Sequence, residues 1–412
     1  MSLVAESELQ RIVVVGASLA GLRACETLRS DGFTGTVTLV GAEEHLPYDR
    51  PPLSKKLLAG DWEPDRIHLR KRDDVDALGL DLRLGVPATG LDVDGHAVHL
   101  ADGSVAPFDG VILATGSTPR RLPGQEAMPA VHELRTLDDS MRLRAEIADG
   151  TARVVVIGAG FIGLEVAATA RARGCTVTVL EGLPAPLIRG LGADMGTAVA
   201  ACHDDEGTKI RLGVSVADLE HGGVRLADGE LVPADVIVVG IGVTPATSWL
   251  DGSGLEIRDG VVCDATLAAG PAGVYAAGDV ARWQNDLFDE EMRVEHWTNA
   301  AEQGAAAARN LLTAARGASG EPYAPVPFVW TDQGRNRAQF LGRPAGDEDD
   351  DVVQVVVGDP AERRFVALYG RHGKLRGVLG LNLPRLVMPY RALIQAGASW
   401  DDALALAAQQ QS

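Results

Sequence analysis

The chain has 412 residues, a length typical of two or three domains. Its 38 Lys and Arg residues and 57 Asp and Glu residues leave a formal net charge of −19, which argues against general nucleic-acid binding because that function needs a basic surface. Hydrophobic residues make up 46% of the chain and charged residues 23%, proportions of a globular protein that argue against overall disorder.

The cysteines and the apolar segments indicate a cytoplasmic protein with reduced thiols. No secretory signal and no run of 18 apolar residues is visible, so we expect neither secretion nor a membrane-spanning helix. The four cysteines, at positions 25, 175, 202 and 263, form no C-x-x-C pair. We therefore expect no metal site and no dithiol site.

One pattern occurs twice in the chain, with its two copies 142 residues apart. Each copy consists of a β-branched strand, a glycine turn, a helix and a second strand, which is the βαβ unit of a parallel sheet. The strands lie at residues 11–15 and 36–40 in the first copy, and at residues 153–157 and 176–180 in the second. Continuous apolar strands are typical of sheets buried on both faces, so we predict a duplicated α/β fold.

The second turn, Gly158-x-Gly160-x-x-Gly163, has the complete dinucleotide-binding spacing. The first glycine permits the turn, the second lets a pyrophosphate approach the backbone, and the third lets the helix pack on the strand. Glu181 follows the next strand, 23 residues after Gly158, where a carboxylate can bind a ribose 2′-hydroxyl. No adjacent arginine is available for a 2′-phosphate, so this unit predicts NADH rather than NADPH.

The first turn, from Gly16 to Gly21, departs from that spacing because Ser18 stands at its middle position. The acid is also displaced, since two small residues separate the end of the second strand from Glu43. A structural glycine turn and a dinucleotide site both remain open for this segment.

Gly278-Asp279 favours the second of these interpretations. The pair follows an apolar strand, and a carboxylate at such a place can accept a hydrogen bond from a cofactor hydroxyl. An N-cap of the next helix is the plainer interpretation of Asp279, since aspartate is a good cap.

The remaining elements are predicted from apolar runs and turn residues. Further strands are expected at residues 108–114, 234–239 and 273–277, and a helix at residues 299–315. A linker at residues 316–327 precedes an antiparallel meander at residues 352–357, 364–369 and 374–380, and a helical tail is expected from about residue 389.

Six segments together carry a family resemblance. They are Gly16-x-x-x-x-Gly21, residues 45–55 (HLPYDRPPLSK), 114–116 (ATG), 158–165 (GAGFIGLE), 276–279 (AAGD) and 330–333 (WTDQ). The chain resembles the FAD-dependent NADH:ferredoxin reductases of the putidaredoxin reductase and biphenyl dioxygenase reductase type. The PPLSK sequence is the specific part of the resemblance, because many flavoproteins share the glycine motifs.

This resemblance implies a glutathione-reductase-like α/β flavoprotein with two dinucleotide-binding domains and an α+β C-terminal domain. Its FAD-binding domain would comprise residues 1–117 and 246–320, its NAD-binding domain residues 118–245, and its C-terminal domain, covering the flavin, residues 321–412. The implied reaction is hydride transfer from NADH to FAD, followed by delivery of single electrons to a [2Fe–2S] ferredoxin. That ferredoxin would supply a cytochrome P450 or a ring-hydroxylating oxygenase.

The resemblance also assigns site residues. Those implied to contact FAD are Gly16, Ser18, Ala20, Gly21, Glu43, Arg50, Lys55, Ala88, Ala114, Thr115, Gly116, Arg135, Gly278, Asp279 and Trp297. Those implied to contact NAD are Gly158, Gly160, Phe161, Ile162, Gly163, Glu165, Glu181, Gly240 and Gly242.

Two of these residues are implied to be catalytic. Lys55 would lie near the flavin N5 edge, and Glu165, at the opening of the second helix, would face Lys55 and the nicotinamide amide. The plainer interpretations are a surface lysine and a helix-start acid, and for Trp297 a core aromatic. Ala42 replaces an acid often seen at the FAD adenosine in the family, and Glu43 is the expected substitute.

The cysteine positions bear on the electron acceptor. A disulfide reductase of this fold needs a cysteine pair beside the flavin, and its peroxide or coenzyme A relatives need a single cysteine near residue 45. Here Pro47-Tyr-Asp-Arg occupies that segment, so electrons are expected to leave directly from FAD. A rubredoxin or small-acceptor reductase, or a redox-sensing flavoprotein of the apoptosis-inducing type, are the alternatives.

An acidic ferredoxin and this acidic protein repel each other overall, so docking needs a local basic cluster. Such a cluster can overcome the overall repulsion, because screening limits interactions beyond about 8–10 Å at physiological salt. Three candidate clusters are Arg70 to Arg72, Arg335 with Arg337, and Arg371 to Lys374 with Arg376.

Overall fold

The computed structural model describes residues 9–344 and 350–411, which form two compact units. The first unit comprises residues 9–49, 67–118 and 244–325, and the second comprises residues 50–66, 119–243, 326–344 and 350–411. Residues 1–8, where a secretory signal would begin, lie outside the described part. No helix among the described residues has both the length and the apolar character needed to cross a bilayer.

The structure contains strands throughout both units. In chain order they are β1 (Arg11–Val15), β2 (Thr36–Val40), β3 (Asp81–Arg83), β4 (Ala88–Asp92), β5 (Ala97–Leu100), β6 (Val105–Pro107), β7 (Gly110–Leu113), β8 (Ser117–Pro119), β9 (Val131–His132), β10 (Arg153–Ile157), β11 (Thr176–Leu180), β12 (Lys209–Arg211), β13 (Val216–Glu220), β14 (Gly223–Leu226), β15 (Leu231–Pro233), β16 (Val236–Val239), β17 (Val243–Pro245), β18 (Val261–Cys263), β19 (Val274–Ala276), β20 (Ala281–Asn285), β21 (Glu290–Met292), β22 (Phe328–Gln333), β23 (Asn336–Gly342), β24 (Val352–Asp359), β25 (Arg364–Arg371) and β26 (Lys374–Leu381).

The helices vary from one turn to five. They are α1 (Leu19–Ser30), α2 (Arg72–Asp76), α3 (Leu137–Glu146), α4 (Phe161–Ala172), α5 (Ile188–Leu191), α6 (Ala193–Asp205), α7 (Trp297–Ala315), α8 (Pro384–Val387), α9 (Tyr390–Gln395) and α10 (Trp400–Gln411).

The first unit is built on a five-stranded parallel sheet in the order β19-β7-β1-β2-β3. Strands β1, β2, β7 and β19 are almost entirely buried by small, β-branched and leucine side chains, as in a sheet covered on each side, whereas the edge strand β3 is partly exposed. Helices α1 and α7 approach closely, since a Cβ on Gly304 would lie 2.2 Å from the carbonyl oxygen of Ala20. Two small three-stranded sheets, β4-β5-β6 and β18-β20-β21, complete this unit.

The second unit repeats the parallel arrangement and adds the C-terminal segment. Its parallel sheet has the order β12-β11-β10-β16-β9, and an antiparallel sheet, β13-β14-β15, packs in the same core. The C-terminal sheet, β22-β23-β26-β25-β24, is antiparallel throughout, as the predicted meander requires. The duplicated α/β fold and the antiparallel C-terminal sheet are therefore confirmed.

Element boundaries differ from expectation in two places. Helix α7 begins at Trp297, two residues before the predicted start, directly after the extended backbone of His296. The helical tail begins at Pro384, five residues before the predicted start, because proline is well suited to the first turn of a helix, where no amide hydrogen bond is lost. The tail is divided into three helices, α8, α9 and α10.

The three-domain division stays a prediction. The chain passes from the first unit to the second after residue 118 and returns at residue 244, near the expected boundaries at 117 and 246. The segment 50–66, expected in the FAD-binding domain, is grouped with the second unit, as are both the expected NAD-binding and C-terminal domains.

Candidate functional site

The first glycine turn lies at the carboxyl edge of the first parallel sheet, between β1 and α1. Gly16 has φ +124°, and its N–H donates to the carbonyl of Val40 at 2.8 Å. A Cβ on Gly16 would lie 2.0 Å from the carbonyl oxygen of Ala114, and a Cβ on Gly21 would lie 1.9 Å from that of Gly16. Both glycines are therefore required by the backbone packing, whatever the turn binds.

Ser18 at the middle of this turn is compatible with a phosphate site. It is the N-cap of α1 and has an extended backbone at φ −126°, which an L-residue adopts without strain. The first-turn N–H groups of α1, such as that of Ala20, have no acceptor inside the helix and lie at the positive end of its dipole. The departure from glycine thus leaves the backbone donors in place, and the turn fits a pyrophosphate.

Glu43 follows β2, where a dinucleotide-binding unit carries the acid that contacts a ribose. Its Oε2 accepts a hydrogen bond from the hydroxyl of Tyr48 at 2.5 Å, which orients the carboxylate. Ala88 begins β4 two residues after Val86, whose N–H donates to the carbonyl of Gly41. The chain segments that carry Glu43 and Ala88 therefore meet next to the end of β2.

Asp279 is held on two sides where β19 ends. Its Oδ2 accepts a hydrogen bond from the Ser117 hydroxyl at 2.9 Å, and its carbonyl oxygen accepts one from Arg293 Nη1 at 3.1 Å. The preceding Gly278 has φ +78° and donates its N–H to Gln303 Oε1 at 2.8 Å. Asp279 lies inside a short 3-10 turn, so the N-cap interpretation is wrong.

Trp297 is the first residue of α7 and is only half-buried. Its indole Nε1 donates to Asp49 Oδ1 at 2.6 Å. A partly exposed, hydrogen-bonded indole is not a plain core aromatic.

The carboxyl edge of the first sheet therefore brings together most of the predicted FAD residues: Gly16, Ser18, Ala20, Gly21, Glu43, Ala114, Thr115, Gly116, Gly278 and Asp279. Arg50, Lys55 and Arg135 belong to the second unit, where the Arg50 guanidinium donates to the carbonyl oxygen of Arg135.

The second glycine turn has the same construction, with one informative difference. Gly158 has φ +105° and its Cβ would lie 2.3 Å from the carbonyl oxygen of Gly240, while a Cβ on Gly163 would lie 2.2 Å from that of Gly158. Gly160 has φ −80°, and its Cβ would meet no described atom within 4 Å. Nothing in the described protein requires glycine at position 160, so the open space fits an approaching pyrophosphate.

Glu181 is oriented by two backbone amides at the end of β11. Its Oε2 accepts from the N–H of Ala159 at 2.7 Å and its Oε1 from the N–H of Leu183 at 2.9 Å. An ionised carboxylate has about four acceptor positions, so two remain for ribose hydroxyls. On the neighbouring strand, the guanidinium of Arg211 is bound in a bidentate ion pair to Glu230, both contacts at 2.7 Å.

The other predicted NAD residues lie around the second turn. Phe161 and Ile162 are the first residues of α4, and the Ile162 side chain is 43% exposed. Gly240 follows β16 and donates its N–H to Ile157 at 2.7 Å, and Gly242, two residues on, has φ +103°. These positions share the carboxyl edge of the second parallel sheet.

Lys55 and Glu165 form a buried ion pair within the second unit. Lys55 Nζ lies 2.7 Å from Glu165 Oε2, and the two side chains are 16% and 7% exposed. Glu165 is the fifth residue of α4, so the expectation that it opens the helix is wrong, and Lys55 is not an ordinary surface lysine. Ser54 also donates to Glu165 Oε2 at 2.5 Å.

Sequence reasoning assigned no role to three further residues of this network. Thr331 donates to Glu165 Oε1 at 2.6 Å, Gln333 contacts Thr331, and His203 contacts Gln333. Thr331 and Gln333 lie in the WTDQ segment, which carries part of the family resemblance but by itself indicates no role for either side chain. His203 gave no sequence signal, because only the packing of α6 brings it close to β22.

All four cysteines are free and buried. Burial raises the pKa of Cys25 and Cys263 to about 12 and that of Cys202 to about 11, and it also raises the pKa of Cys175. Thiols with such pKa values do not supply a thiolate at neutral pH, so none of them is suited to accept or relay electrons.

The three basic clusters are partly neutralised. The ion pairs are Arg70–Glu26 and Arg72–Asp76 in the first cluster, Arg337–Asp332 in the second, and Arg371–Asp351 in the third. Among the described residues, Lys71, Arg335 and Lys374 have no acidic partner, which leaves one unpaired cation in each cluster.

Comparison with known proteins agrees with this geometry. Residues 10–304 match the family model of the pyridine nucleotide-disulphide oxidoreductases, and residues 328–411 match that of the reductase C-terminal domain. The chain is 36% identical to the "anthranilate 1,2-dioxygenase system ferredoxin--NAD(+) reductase component" of Burkholderia cepacia, over 94% of this chain and 95% of that protein. It is 37% identical to the rhodocoxin reductase of Rhodococcus erythropolis, over 93% of this chain and 89% of that protein.

Solved structures give the same result. The covalent putidaredoxin reductase–putidaredoxin complex matches with a TM-score of 0.89 and 29% identity, covering 98% of this chain and 99% of that one. The ferredoxin reductase for the CYP199A2 system from Rhodopseudomonas palustris matches with a TM-score of 0.85 and 32% identity, covering 98% of this chain and 100% of that one. By its two glycine turns, its fold and these matches, the chain belongs to the pyridine nucleotide-disulphide oxidoreductase family and carries a reductase C-terminal domain.

Proposed function

We propose that this chain is an NADH:ferredoxin reductase, the component that passes electrons from NADH to a [2Fe–2S] ferredoxin serving a cytochrome P450 or a ring-hydroxylating oxygenase. The family uses FAD and a pyridine nucleotide, and the two glycine turns described above fit these two dinucleotides. FAD, when bound, accepts a hydride from the nicotinamide and releases its electrons one at a time.

The burial of all four thiols is the observation that carries this proposal. Family members that reduce disulfides need a thiol pair as the next electron carrier, whereas every cysteine here is free, buried and held protonated by its surroundings. A chain with both dinucleotide sites and no reactive thiol must pass electrons directly to an external acceptor. The relatives named above are reductases of ferredoxins, which favours that acceptor over rubredoxin or a small molecule.

The direct test is reconstitution with purified components. The FAD-loaded protein, NADH and a [2Fe–2S] ferredoxin should together reduce cytochrome c, and omission of the ferredoxin should abolish most of that rate. Equal rates with and without ferredoxin would favour a small-acceptor reductase. Slow flavin bleaching by NADH that leaves a long-lived complex would favour a redox sensor.

The preference for NADH rests on Glu181. A carboxylate fixed by two backbone amides repels a 2′-phosphate and accepts hydrogen bonds from a 2′-hydroxyl. The nearest basic side chain on the adjoining strand, that of Arg211, is neutralised by Glu230 and adds little attraction for a phosphate.

Glu181→Ala is expected to raise the KM for NADH by roughly tenfold or more while lowering kcat much less, because the ribose contact is made equally in the ground state and the transition state. The ratio of the NADPH KM to the NADH KM should fall, since the repulsive carboxylate is gone. Steady-state kinetics with both nucleotides measure this. Glu220→Ala, which removes a partly exposed carboxylate, paired with Arg225, elsewhere in the same unit, is the control. An unchanged NADH KM in Glu181→Ala would remove the nicotinamide nucleotide from this turn.

For ferredoxin docking we favour the cluster around Arg335. This residue lies in the turn between β22 and β23, and Arg364 and Arg385 are likewise exposed and have no acidic partner among the described residues. Asn382 joins these segments, because its side chain hydrogen-bonds the N–H of Arg337 and the carbonyl oxygen of Arg363. Unpaired guanidinium groups on one end of a sheet can steer an acidic partner despite the net negative charge.

Arg335→Glu with Arg385→Glu should lower the ferredoxin-dependent rate of cytochrome c reduction by roughly tenfold at low salt, with a smaller effect at high salt. Ferricyanide reduction should stay unchanged, because this small acceptor needs no docking surface. Lys71→Glu and Lys374→Glu test the other two clusters in the same assay. Equal loss with both acceptors, or a larger loss in either of those variants, would contradict docking at Arg335.

The cytoplasmic location expected from the sequence stays a prediction.

A further inference from the structure

The buried carboxylate of Glu165 is held at both of its oxygens by donors from two different segments of the chain. Its Oε2 receives the hydroxyl of Ser54 at 2.5 Å and Lys55 Nζ at 2.7 Å, both from the segment following Arg50. Its Oε1 receives the hydroxyl of Thr331 at 2.6 Å, from β22 of the C-terminal sheet. Glu165 is 5% exposed, so these protein donors replace the water that would otherwise solvate the charge.

The direction of every hydrogen bond beyond Thr331 follows from its chemistry. Because the Thr331 hydroxyl donates its only proton to Glu165, it must accept from Gln333 Nε2, which lies 3.3 Å away. The Gln333 amide oxygen then accepts from His203 Nε2 at 2.9 Å, which assigns the imidazole proton to Nε2. His203 Nδ1 is buried without a partner among the described residues, as expected for a bare acceptor nitrogen.

His203 is suited to remain a neutral donor. Its side chain is 1% exposed, and burial lowers the pKa of its imidazole below the ordinary value. All the hydrogens in this chain of contacts therefore point towards Glu165, and the dipoles of the three side chains reinforce one another in strengthening the hydrogen bond to its carboxylate.

Strand geometry explains how one short segment, β22, contributes two residues to this chain of hydrogen bonds. Thr331 and Gln333 are two residues apart on β22, so their side chains lie on the same face, and both are buried. Asp332 between them points to the opposite face, where it forms an ion pair with Arg337 at 2.6 Å. The alternation places the hydroxyl and the amide together without bringing a second carboxylate near Glu165.

We propose that Thr331, Gln333 and His203 are positioning residues that hold the Glu165 carboxylate in one orientation, and through it set the position of the Lys55 ammonium. This inference rests on the proposed function and on the expectation, implied by the family resemblance, that Lys55 lies near the flavin. The C-terminal segment thereby contributes to the reaction through β22, without contributing a catalytic residue of its own.

Thr331→Val tests the proposal, because it keeps the shape of the side chain and removes the hydroxyl. We expect kcat for NADH-dependent ferricyanide reduction by the FAD-loaded protein to fall roughly tenfold, the effect of losing one hydrogen bond to a charged group. The KM for NADH should stay within about twofold, since the ribose and pyrophosphate contacts are untouched. The flavin midpoint potential should become more negative, because a less well-held ammonium stabilises the reduced flavin less.

Two further variants separate positioning from packing. Thr331→Ser keeps the hydroxyl and should recover most of the activity lost in Thr331→Val. Thr38→Val is the matched control: Thr38 is a buried strand residue of the first unit whose hydroxyl also donates to a carboxylate, that of Asp81, at 3.1 Å. It should lose stability comparably and change neither kcat nor the flavin potential.

The outcomes are decisive in both directions. A Thr331→Val protein with the kcat and potential of the parent would overturn the proposal, as would equal losses in Thr331→Val and Thr331→Ser. If Thr331→Val does not fold, Gln333→Met removes the next contact at similar volume and should show the same fall in kcat and shift in potential. Failure of the parent protein to be reduced by NADH would instead contradict the proposed function itself, so the two failures are distinguishable.

Discussion

Gly160→Ala is expected to raise the KM for NADH at least about tenfold, because the added methyl group occupies space that the protein leaves open for the pyrophosphate. The same change should lower the free energy of unfolding by less than about 1 kcal/mol, since alanine at an N-cap typically costs about 1 kcal/mol relative to serine, of which glycine already costs a few tenths. The backbone there is ordinary, at φ −80°, and no described atom lies within 4 Å of the new Cβ. Steady-state kinetics and thermal unfolding of the same preparation measure both quantities.

Gly163→Ala is the contrasting variant, three residues further along. Its Cβ would lie 2.2 Å from the carbonyl oxygen of Gly158, so the strand and helix must separate and the protein should lose about 1–3 kcal/mol of stability. A loss of stability in Gly160→Ala equal to that in Gly163→Ala, with an unchanged KM, would mean that position 160 is structural and would remove the nucleotide from this turn.

Lys55→Met is expected to lower kcat with NADH by roughly 100-fold, because it removes a fixed positive charge from a site that water does not reach freely. It also leaves the carboxylate of Glu165 buried without its cation, which should cost about 3–5 kcal/mol of stability. Turnover with ferricyanide and chemical unfolding monitor the two effects independently.

The double variant Lys55→Met, Glu165→Gln separates stability from chemistry. Glutamine removes the buried charge, so much of the stability lost in Lys55→Met should return, whereas kcat should stay low because the ammonium is still missing. Lys55→Arg keeps the charge with a different donor geometry and should retain more activity than Lys55→Met. Recovery of kcat together with stability in the double variant would show that Lys55 serves only the fold.

The local turns were predictable because their chemistry is contained in a few adjacent residues. Gly16 and Gly158 stand where φ is +124° and +105°, conformations that favour glycine, and each precedes a helix that begins within three residues. Glu181 lies where the spacing places it, at the end of β11. Strand–turn–helix spacing reports such features directly, since it depends on backbone geometry over about 25 residues.

The Glu165 network was only partly predictable. The facing of Lys55 and Glu165 came from the family resemblance, but the sequence placed Glu165 at the start of α4, and the structure places it in the second turn. Thr331 and Gln333 share a strand and could have been paired by their spacing, whereas nothing near His203 in the sequence indicates a partner 130 residues away. Contacts between distant segments depend on how sheets and helices pack, which local patterns do not encode.

The amino-acid sequence by itself determined the duplicated α/β units, the antiparallel C-terminal sheet and the two glycine turns, because apolar strand runs and glycine spacing are local properties of the chain. The tertiary structure alone decided which donors surround Glu165, which cations remain unpaired and that no described part of the protein itself requires glycine at position 160. Each of these depends on what occupies the space around a side chain, and that space is enclosed by residues far apart in the sequence.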